Sequence, residues 1–405
     1  MGPSVVVRNL AGEDVIFIAN DWHTALVPLY LKSRFIPKGI YMNAKVALCV
    51  HNLAYQGKFQ EDHFDYRMLD LPEHFRPAFI MPDSLHQDKH EKASNEHQLL
   101  NWMKAGIEEA DLLLTVSPTY ANEVSTEEER GAGLRELVSR KGMVGIMNGA
   151  DISEWSPMTD KYLDVRYDIE TVLVVKPVVK EQLQAEAGLP VRPDVTLFGF
   201  MGRLQEQKGL DILAAAILTF LQKQQQQEKT AQFVLLGTGK PVFEKQVQEL
   251  EGKFPTQVRG MIESSRRLAH LIVAGCDFMV VPSRYEPDGL VQLYAMLYGT
   301  PELVMEDAAK VVAGLERAAG IYGTTWYRSM VLTAMSQDLS WRGPARAWEQ
   351  AMLTLRQEGR SGEAKPSKIV PGKRPSEDDI GTNWTFRNTQ SCSSSNNHSF
   401  KNHMA

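Results

Sequence analysis

Short apolar runs alternate with helical patterns along most of this chain. The runs are rich in β-branched and large aliphatic residues and lack polar alternation, which is typical of strands buried on both faces. Such strands, separated by helices, form parallel sheets of βαβ units. The sequence therefore predicts an α/β fold. Strands are predicted over residues 14–21, 45–52, 111–117, 143–151, 195–201, 231–239 and 276–283, and helices over 22–35 and 98–110.

Polar clusters follow most of the predicted strands. Ligands of parallel sheets bind beyond the carboxyl ends of the strands, so we expect a functional site to be assembled from these clusters. They are "NDWH" (20–23), "HNLAYQG" (51–57), "SPTY" (117–120), "NGAD" (148–151), "GRLQEQKG" (202–209), "GTGK" (237–240) and "SRYEPDGL" (283–290).

Length and charge limit the classes of protein to consider. A chain of 405 residues exceeds one ordinary core and favours two domains, with a boundary expected between residues 150 and 185. Lys and Arg number 44 against 50 Asp and Glu, a net charge of -6, which gives no general field for nucleic acid. Cys49, Cys276 and Cys392 are too few and too scattered for a disulfide framework or a zinc site.

The start of the sequence shows no recognisable targeting signal. The opening residues fit neither a secretory signal nor a transit peptide. No apolar stretch approaches the roughly 18–20 residues of a membrane span, so we expect no membrane partner. Beyond about residue 360 the sequence is rich in Ser, Asn, Pro and charge, and we predict a disordered tail over 360–405.

The stretch "GRLQEQKG" (202–209) places two cations, Arg203 and Lys208, between a strand and a helix. A turn of this kind presents backbone N–H groups at a helix N-terminus, which stabilises an anion. The arginine can also fork onto a phosphate. By itself the stretch favours either a diphosphate site or an ordinary solvated turn with surface cations.

Other clusters are open to two readings when taken alone. "RYEPDGL" places Glu286 in a tight turn, where it either grips sugar hydroxyls or belongs to a common βα turn capped by Asp288. In "NDWH", His23 is either functional or a satisfied structural histidine. "GTGK" lacks the full phosphate-loop pattern. His86 and His90 have helical ligand spacing in what reads as a loop, so we expect no metal site there.

Together and in this order, the stretches resemble plant starch synthases and bacterial glycogen synthases, most closely the granule-bound members of the first group. The resemblance covers most of residues 14–350. It is carried by "ANDWHTALVPLYLK", "KVALCVHNLAYQGKF", "NWMKAGIEEADLLLTVSPTYANE", "GIMNGADISEWSPMTDKY", "GFMGRLQEQKGLDIL", "FVLLGTGK" and "CDFMVVPSRYEPDGL".

The resemblance implies a GT-B fold, in which two Rossmann-like domains face each other across a cleft. It also implies an activity: transfer of glucose from ADP-glucose to the 4-hydroxyl at the non-reducing end of an α-1,4-glucan, with retention of anomeric configuration. No cofactor or metal ion is implied. The implied partners are ADP-glucose and an α-1,4-glucan or starch granule, and the implied location is the plastid.

The resemblance also assigns roles to residues. Arg203 and Lys208 match the pair that neutralises the donor diphosphate, in place of a metal ion. They should matter most in the transition state, when charge builds on departing ADP. His23 matches an active-site histidine near the donor glucose, and Glu286 matches a glutamate that contacts this glucose.

Further residues are implied with smaller roles. Gly289 and Leu290 are expected to lend backbone N–H groups to the donor, and Gly202 is counted with the donor-binding residues. Asp21 and Asn148 lie in matching motifs near the cleft.

The sequence departs from the family pattern in several places. A Lys-x-Gly-Gly-Leu motif, which contacts donor phosphate and glucose in the family, is not found, so we expect a truncated N-terminal domain. After "MLYGTP" (296–301) the family continues into a Thr-Gly-Gly-Leu loop that is also missing here. Asp288 stands where the family usually has cysteine. These departures predict reduced activity.

The predicted ranges are a partial N-terminal catalytic domain at 1–151, a crossover at 152–185, and a C-terminal nucleotide-sugar-binding domain at 186–350 with an internal deletion near 301. Besides the enzyme, the sequence leaves open a catalytically impaired glucan-binding or scaffold protein built on the same frame. It also leaves open another retaining nucleotide-sugar transferase, which "HNLAYQG" and "EPDGL" together disfavour.

Overall fold

A computed structural model describes residues 14–60, 64–82, 98–227 and 230–361. They form two α/β units. Unit 1 contains the described residues up to Thr159, then Glu286–Tyr294 and the described residues from Gln337 on. Unit 2 contains the described residues of Asp160–Tyr285 and Ala295–Ser336. Sequence analysis had assigned Glu286–Tyr294 and residues 337–350 to the C-terminal domain, whereas the structure places them in unit 1.

Unit 1 is built around a parallel sheet with the strand order β1-β2-β6-β7, and a separate antiparallel sheet has the order β3-β5-β4. The strands are β1 (Ile16–Asn20), β2 (Lys45–Val50), β3 (Lys58–Gln60), β4 (Ile80–Pro82), β5 (Gln98–Asn101), β6 (Leu112–Thr115) and β7 (Val144–Gly145). The α-helices of its first segment are α1 (Val27–Tyr30), α2 (Arg76–Phe79), α3 (Trp102–Glu109), α4 (Pro118–Thr126), α5 (Glu128–Gly131) and α6 (Arg135–Lys141).

Unit 2 has a five-stranded parallel sheet with the order β10-β9-β8-β11-β12. Its strands are β8 (Thr196–Met201), β9 (Ala231–Leu236), β10 (Val258–Met261), β11 (Phe278–Val281) and β12 (Glu302–Val304). Its helices are α7 (Val172–Glu186), α8 (Leu210–Gln226), α9 (Pro241–Lys253), α10 (Arg266–Gly275), α12 (Ala308–Ile321) and α13 (Thr325–Met335), while α11 (Leu290–Leu297) begins in unit 1 and ends in unit 2. The last helix of the chain, α14 (Arg342–Ser361), belongs to unit 1.

Strand β2 shows why its sequence lacks polar alternation. Leu48 packs into the core formed with helices α3, α4 and α6, while Cys49 points to the opposite face and packs against Leu355 of α14. Both residues are completely or almost completely buried. The strand is therefore covered on both faces, as the sequence predicts for a parallel sheet.

Two predicted helices differ in the structure. Residues 98–101 form strand β5, and helix α3 begins only at Trp102, because the Asn101 side chain accepts a hydrogen bond from Lys104 N and caps it. The range 22–35 is broken into a 3₁₀ turn at Trp22–Thr24, helix α1, and a π-turn at Leu31–Phe35. Further 3₁₀ turns cover Ile36–Lys38, Tyr66–Leu69, Glu73–Phe75 and Glu206–Lys208.

The predicted tail over 360–405 lies outside the described residues except for its first two positions, which end α14. His86, His90 and Cys392 also lie outside them.

Helix α7 turns two lysines toward the interior of unit 2. Lys180 is 1 % exposed, and its Nζ lies 2.6 Å from Asp277 Oδ2 and 2.9 Å from the Tyr322 hydroxyl. Asp277 Oδ2 also accepts a hydrogen bond from the Leu197 backbone at 2.7 Å. Lys176 donates to Ala274 O at 2.7 Å, and burial lowers its pKa to about 7. The network links α7 to the strands β8 and β11.

Glu302 gives unit 2 a pH-dependent stability. Its Oε2 contacts no hydrogen-bond donor among the residues that the structure describes, and burial raises its pKa from 4.5 to about 8. Between these pH values the folded state holds a proton that the unfolded state has lost, so stability falls as pH rises. We expect Glu302→Gln to raise Tm at pH 8.5 by at least about 2–4 °C, since one pKa unit equals about 1.4 kcal/mol.

Thermal unfolding followed by circular dichroism from pH 5 to 9 measures this effect. The gain should shrink toward pH 5, where the wild-type carboxyl is also protonated. Glu263→Gln, at an exposed position, is the matched control. A gain at Glu302→Gln that does not depend on pH would contradict the assignment.

Candidate active site

The loop with the two predicted cations follows β8 in unit 2. Gly202 N donates to Leu236 O at 3.0 Å, which continues the pairing of β8 with β9. A 3₁₀ turn at Glu206–Lys208 ends at Gly209, whose φ of 66° is left-handed and suits glycine. Helix α8 starts immediately afterwards, so Lys208 lies at a helix N-terminus.

Three loops of unit 2 meet backbone to backbone at this edge of the sheet. A Cβ at Gly237 would lie 1.9 Å from Gly202 O, and one at Gly239 would lie 2.1 Å from Leu204 O. A Cβ at Gly209 would lie 2.0 Å from Pro282 O. Glycine is required at these contacts because any side chain would collide with the facing carbonyl. The loops after β8, β9 and β11 therefore form one surface, as the sequence predicted for the carboxyl ends of a parallel sheet.

The charges on this surface favour an anion. Arg203 is exposed. Lys208 is partly buried on the same loop. The neighbouring Lys240 pairs with Glu206 at 2.8 Å, so its charge is already balanced. Arg203, Lys208 and the first N–H groups of α8 can together receive a phosphate or diphosphate.

A second polar cluster lies at the carboxyl ends of β1 and β2 in unit 1. Asp21 has φ 53° and ψ -173°, a conformation that costs a non-glycine residue about 1–3 kcal/mol. Its Oδ1 accepts a hydrogen bond from His51 N at 2.8 Å, and its own N donates to Cys49 O at 2.9 Å. Strain held by such contacts is common at functional sites, which supports a role for Asp21.

His51 is a candidate that the sequence analysis did not single out. Its Nε2 lies 3.0 Å from Asn20 Oδ1, and the ring is exposed at the same strand ends as Asp21. The predicted His23 is also exposed, and its ring stacks on Trp22 with centroids 4.2 Å apart. The position of His51 directly after an apolar strand was a signal for it, and its motif was among the polar clusters expected at the site, but His51 itself received no role.

Other residues of "HNLAYQG" have structural roles. Gln56 is buried and donates to Leu53 O at 2.9 Å and Ala132 O at 3.0 Å. At Gly57 a Cβ would lie 2.4 Å from the Trp22 ring. The motif thus packs closely against Trp22, which lies in the same 3₁₀ turn as His23.

The segment Glu286–Tyr294 belongs to unit 1, whereas Arg203 and Lys208 belong to unit 2. Gly289 has φ 61°, and helix α11 begins at Leu290. Tyr294 stacks on Trp155 with ring centroids 3.9 Å apart. Burial raises the pKa of Tyr294, and Glu154, Asp288 and Asp151 contribute through their charges.

Asn148 follows β7 in unit 1 and is partly buried. The next residue, Gly149, passes close to the chain, since a Cβ there would lie 2.6 Å from Trp341 Cα. The bridge between Ala150 and Ser340 continues this contact. The candidate residues thus fall into three groups. One loop carries Gly202, Arg203 and Lys208, and the carboxyl ends of β1 and β2 carry Asp21 and His51. A turn carries Glu286, Gly289 and Leu290.

Two kinds of feature are absent from the part of the chain that the structure describes. No group of three or more His, Cys, Asp or Glu side chains there is placed to hold a metal ion. None of the helices in that part of the chain is both long and apolar enough to span a bilayer.

Comparison with protein families matches two regions of the chain. The family described as "Starch synthase catalytic domain" matches residues 4–140, and "Glycosyl transferases group 1" matches residues 195–318. The granule-bound starch synthase 1 of Manihot esculenta, named chloroplastic/amyloplastic, is 46% identical over 390 residues. This alignment covers 89% of the chain and 62% of the relative. The chain thus spans less than two thirds of the length of that relative.

Solved structures give the fold. The catalytic domain of Starch Synthase IV from Arabidopsis thaliana, bound to ADP and acarbose, has a TM-score of 0.72 at 27% identity and covers 84% of this chain and 73% of its own. A sucrose-phosphate synthase from Thermosynechococcus elongatus has a TM-score of 0.53 at 17% identity, covering 88% of this chain and 76% of its own. The fold is of the GT-B glycosyltransferase type.

Proposed function

We propose that this chain belongs to the starch synthase family, whose catalytic-domain model matches residues 4–140, and that it acts as a retaining glucosyltransferase. It would transfer glucose from ADP-glucose to the non-reducing 4-hydroxyl of an α-1,4-glucan in starch. The observation that carries the proposal is the fixed loop of Arg203 and Lys208 at the N-terminus of α8. ADP in the related starch synthase IV structure is the kind of ligand such a loop would receive.

In this reaction the bond between glucose C1 and the diphosphate breaks, and its electron pair leaves with ADP. The acceptor 4-hydroxyl oxygen forms the new bond to C1, and the hydroxyl proton passes to the departing phosphate. Arg203 and Lys208 would balance the negative charge that accumulates on the leaving group, so no metal ion is required for that role. Gly202 lies beside them, and backbone N–H groups of Gly289 and Leu290 would add further donors to the phosphates.

Other residues would act on the glucose and the acceptor. Glu286 would accept hydrogen bonds from hydroxyls of the donor glucose. His23 or His51 would lie near the reacting centre, with Asp21 holding the His51 backbone in place. The strain at Asp21 favours the Asp21 and His51 pair.

We also propose a plastid location and a glucan or starch-granule partner. Both follow from the curated relatives, which are named granule-bound and chloroplastic/amyloplastic.

The purified chain is expected to incorporate labelled glucose from ADP-glucose into amylopectin more slowly than the Manihot esculenta enzyme, by about 10²-fold or more. The reason is that the Thr-Gly-Gly-Leu loop expected after Pro301 is missing, and loss of one transition-state donor alone costs about 10²–10³-fold. Asp288 adds a negative charge where the family usually has cysteine. Scintillation counting of washed polymer measures the rate.

The controls are Glu286→Ala, which should lower incorporation further, and a chain with the missing loop inserted after Pro301, which should raise it. His23→Ala and His51→Ala, assayed side by side, decide which histidine serves the reaction. Tight binding of the glucan without any turnover, even after insertion of the loop, would contradict the enzymatic proposal and support a glucan-binding protein.

A further inference from the structure

The turn after β11 is clamped to the loop of Lys208. Both oxygens of Asp211 receive the Arg284 guanidinium, with Nη1 2.9 Å from Oδ1 and Nη2 2.6 Å from Oδ2. This two-pronged geometry is the strongest that an arginine forms with a carboxylate. Asp211 lies in the first turn of α8, so the ion pair fixes the start of the helix that Lys208 precedes.

The same arginine also holds the loop on the other side of Lys208. Its Nη1 donates to Glu206 O at 2.5 Å, and Arg284 N donates to Gln207 O at 2.9 Å. Arg284 thus contacts the backbone of residues 206 and 207 and the side chain of Asp211, and these residues bracket Lys208. Gly209 completes the contact, because its backbone touches Pro282 O.

The loop needs such fastening. It carries two cations, Arg203 and Lys208, next to the N–H groups of a helix N-terminus. A binding site is effective when its groups are held in place before the ligand arrives. The pair is partly exposed, at 41% and 39%, so its value as a surface salt bridge is small and its effect on loop geometry is the larger one.

We propose that Arg284 is a positioning residue for the anion-binding loop. Through Asp211 and the carbonyls of Glu206 and Gln207 it holds Lys208 in the geometry that receives the donor diphosphate. This inference rests on the proposed function for the identity of the anion, but the fastening of the loop can be measured without any ligand.

The first measurement is hydrogen exchange on the ligand-free chain. Arg284→Ala should increase exchange in peptides covering residues 203–211. Arg267→Ala is the matched control, since it removes an arginine that pairs with both oxygens of Glu186 elsewhere in unit 2. The control should leave exchange at 203–211 unchanged. Equal exchange in wild type and Arg284→Ala would overturn the proposal.

The second measurement is calorimetric titration with ADP and with adenosine. Arg284→Ala should weaken ADP binding about tenfold and leave adenosine binding unchanged, because only the diphosphate contacts the loop. The double variant Arg284→Asp with Asp211→Arg should recover part of the ADP affinity, whereas Arg284→Asp alone should not. Unchanged ADP affinity in Arg284→Ala, or an equal loss for adenosine, would overturn the role in positioning.

The two measurements separate the proposals. If exchange responds to Arg284→Ala but the wild-type chain binds no ADP, the proposed function fails while the fastening of the loop stands.

Discussion

Asp277→Ala is expected to destabilise unit 2 by about 3–5 kcal/mol, because it leaves the Lys180 ammonium buried without its carboxylate. Lys180 Nζ is 2.6 Å from Asp277 Oδ2, and both side chains are less than 5% exposed, at 1% and 4%. The Leu197 N–H would lose its acceptor as well. Native domains are stable by only about 5–15 kcal/mol, so the loss is a large part of the total. Urea unfolding monitored by fluorescence measures it.

A double variant serves as the control. Lys180→Met with Asp277→Leu removes both charges and retains apolar volume, and it should cost much less than Asp277→Ala. The exposed pair of Lys223 and Glu316 offers a second comparison, since Glu316→Ala should change stability by less than about 1 kcal/mol. If Asp277→Ala were no worse than Glu316→Ala, the buried pair would not hold α7 to the sheet.

Lys208→Ala is expected to weaken ADP binding about 10–100-fold and to lower glucose transfer about 10²–10³-fold. In the proposed reaction, the lysine would supply positive charge to a diphosphate whose negative charge increases when glucose departs. The effect on the rate should therefore exceed the effect on binding. Calorimetry with ADP and the incorporation assay measure the two effects.

Lys223→Ala is the matched control for charge, because Lys223 lies on the same helix, α8, in a pair with Glu316. Its variant should bind ADP as wild type does. Arg203→Ala should resemble Lys208→Ala. Undiminished ADP affinity in Lys208→Ala would show that the diphosphate binds away from this loop.

The sequence alone determined the class of fold and the loops in which a site was sought. In an uninterrupted apolar run such as "VTLFGFM" (195–201), side chains on both faces of the strand are apolar, so both faces must pack against other elements. Strand β8 is buried along nearly all its length. The glycines of "GRLQEQKG" and "GTGK" marked the turns, and the backbone contacts at Gly209 and Gly237 explain why. The order of the motifs indicated a resemblance to starch synthases, and the comparisons confirmed this resemblance.

Only the tertiary structure decided which residues in these loops are fastened together. Arg284 and Asp211 are 73 positions apart, and Lys180 and Asp277 are 97 apart, so no local pattern reveals that either pair forms. A lysine in an amphipathic helix is normally expected to be exposed to solvent. Lys176 and Lys180 of α7 are instead buried, because backbone carbonyls and the carboxylate of Asp277 accept their hydrogen bonds. Likewise, His51 became a candidate because its backbone N–H donates to Asp21, whose backbone is strained. The positive φ of Asp21 is imposed by packing and cannot be read from the sequence.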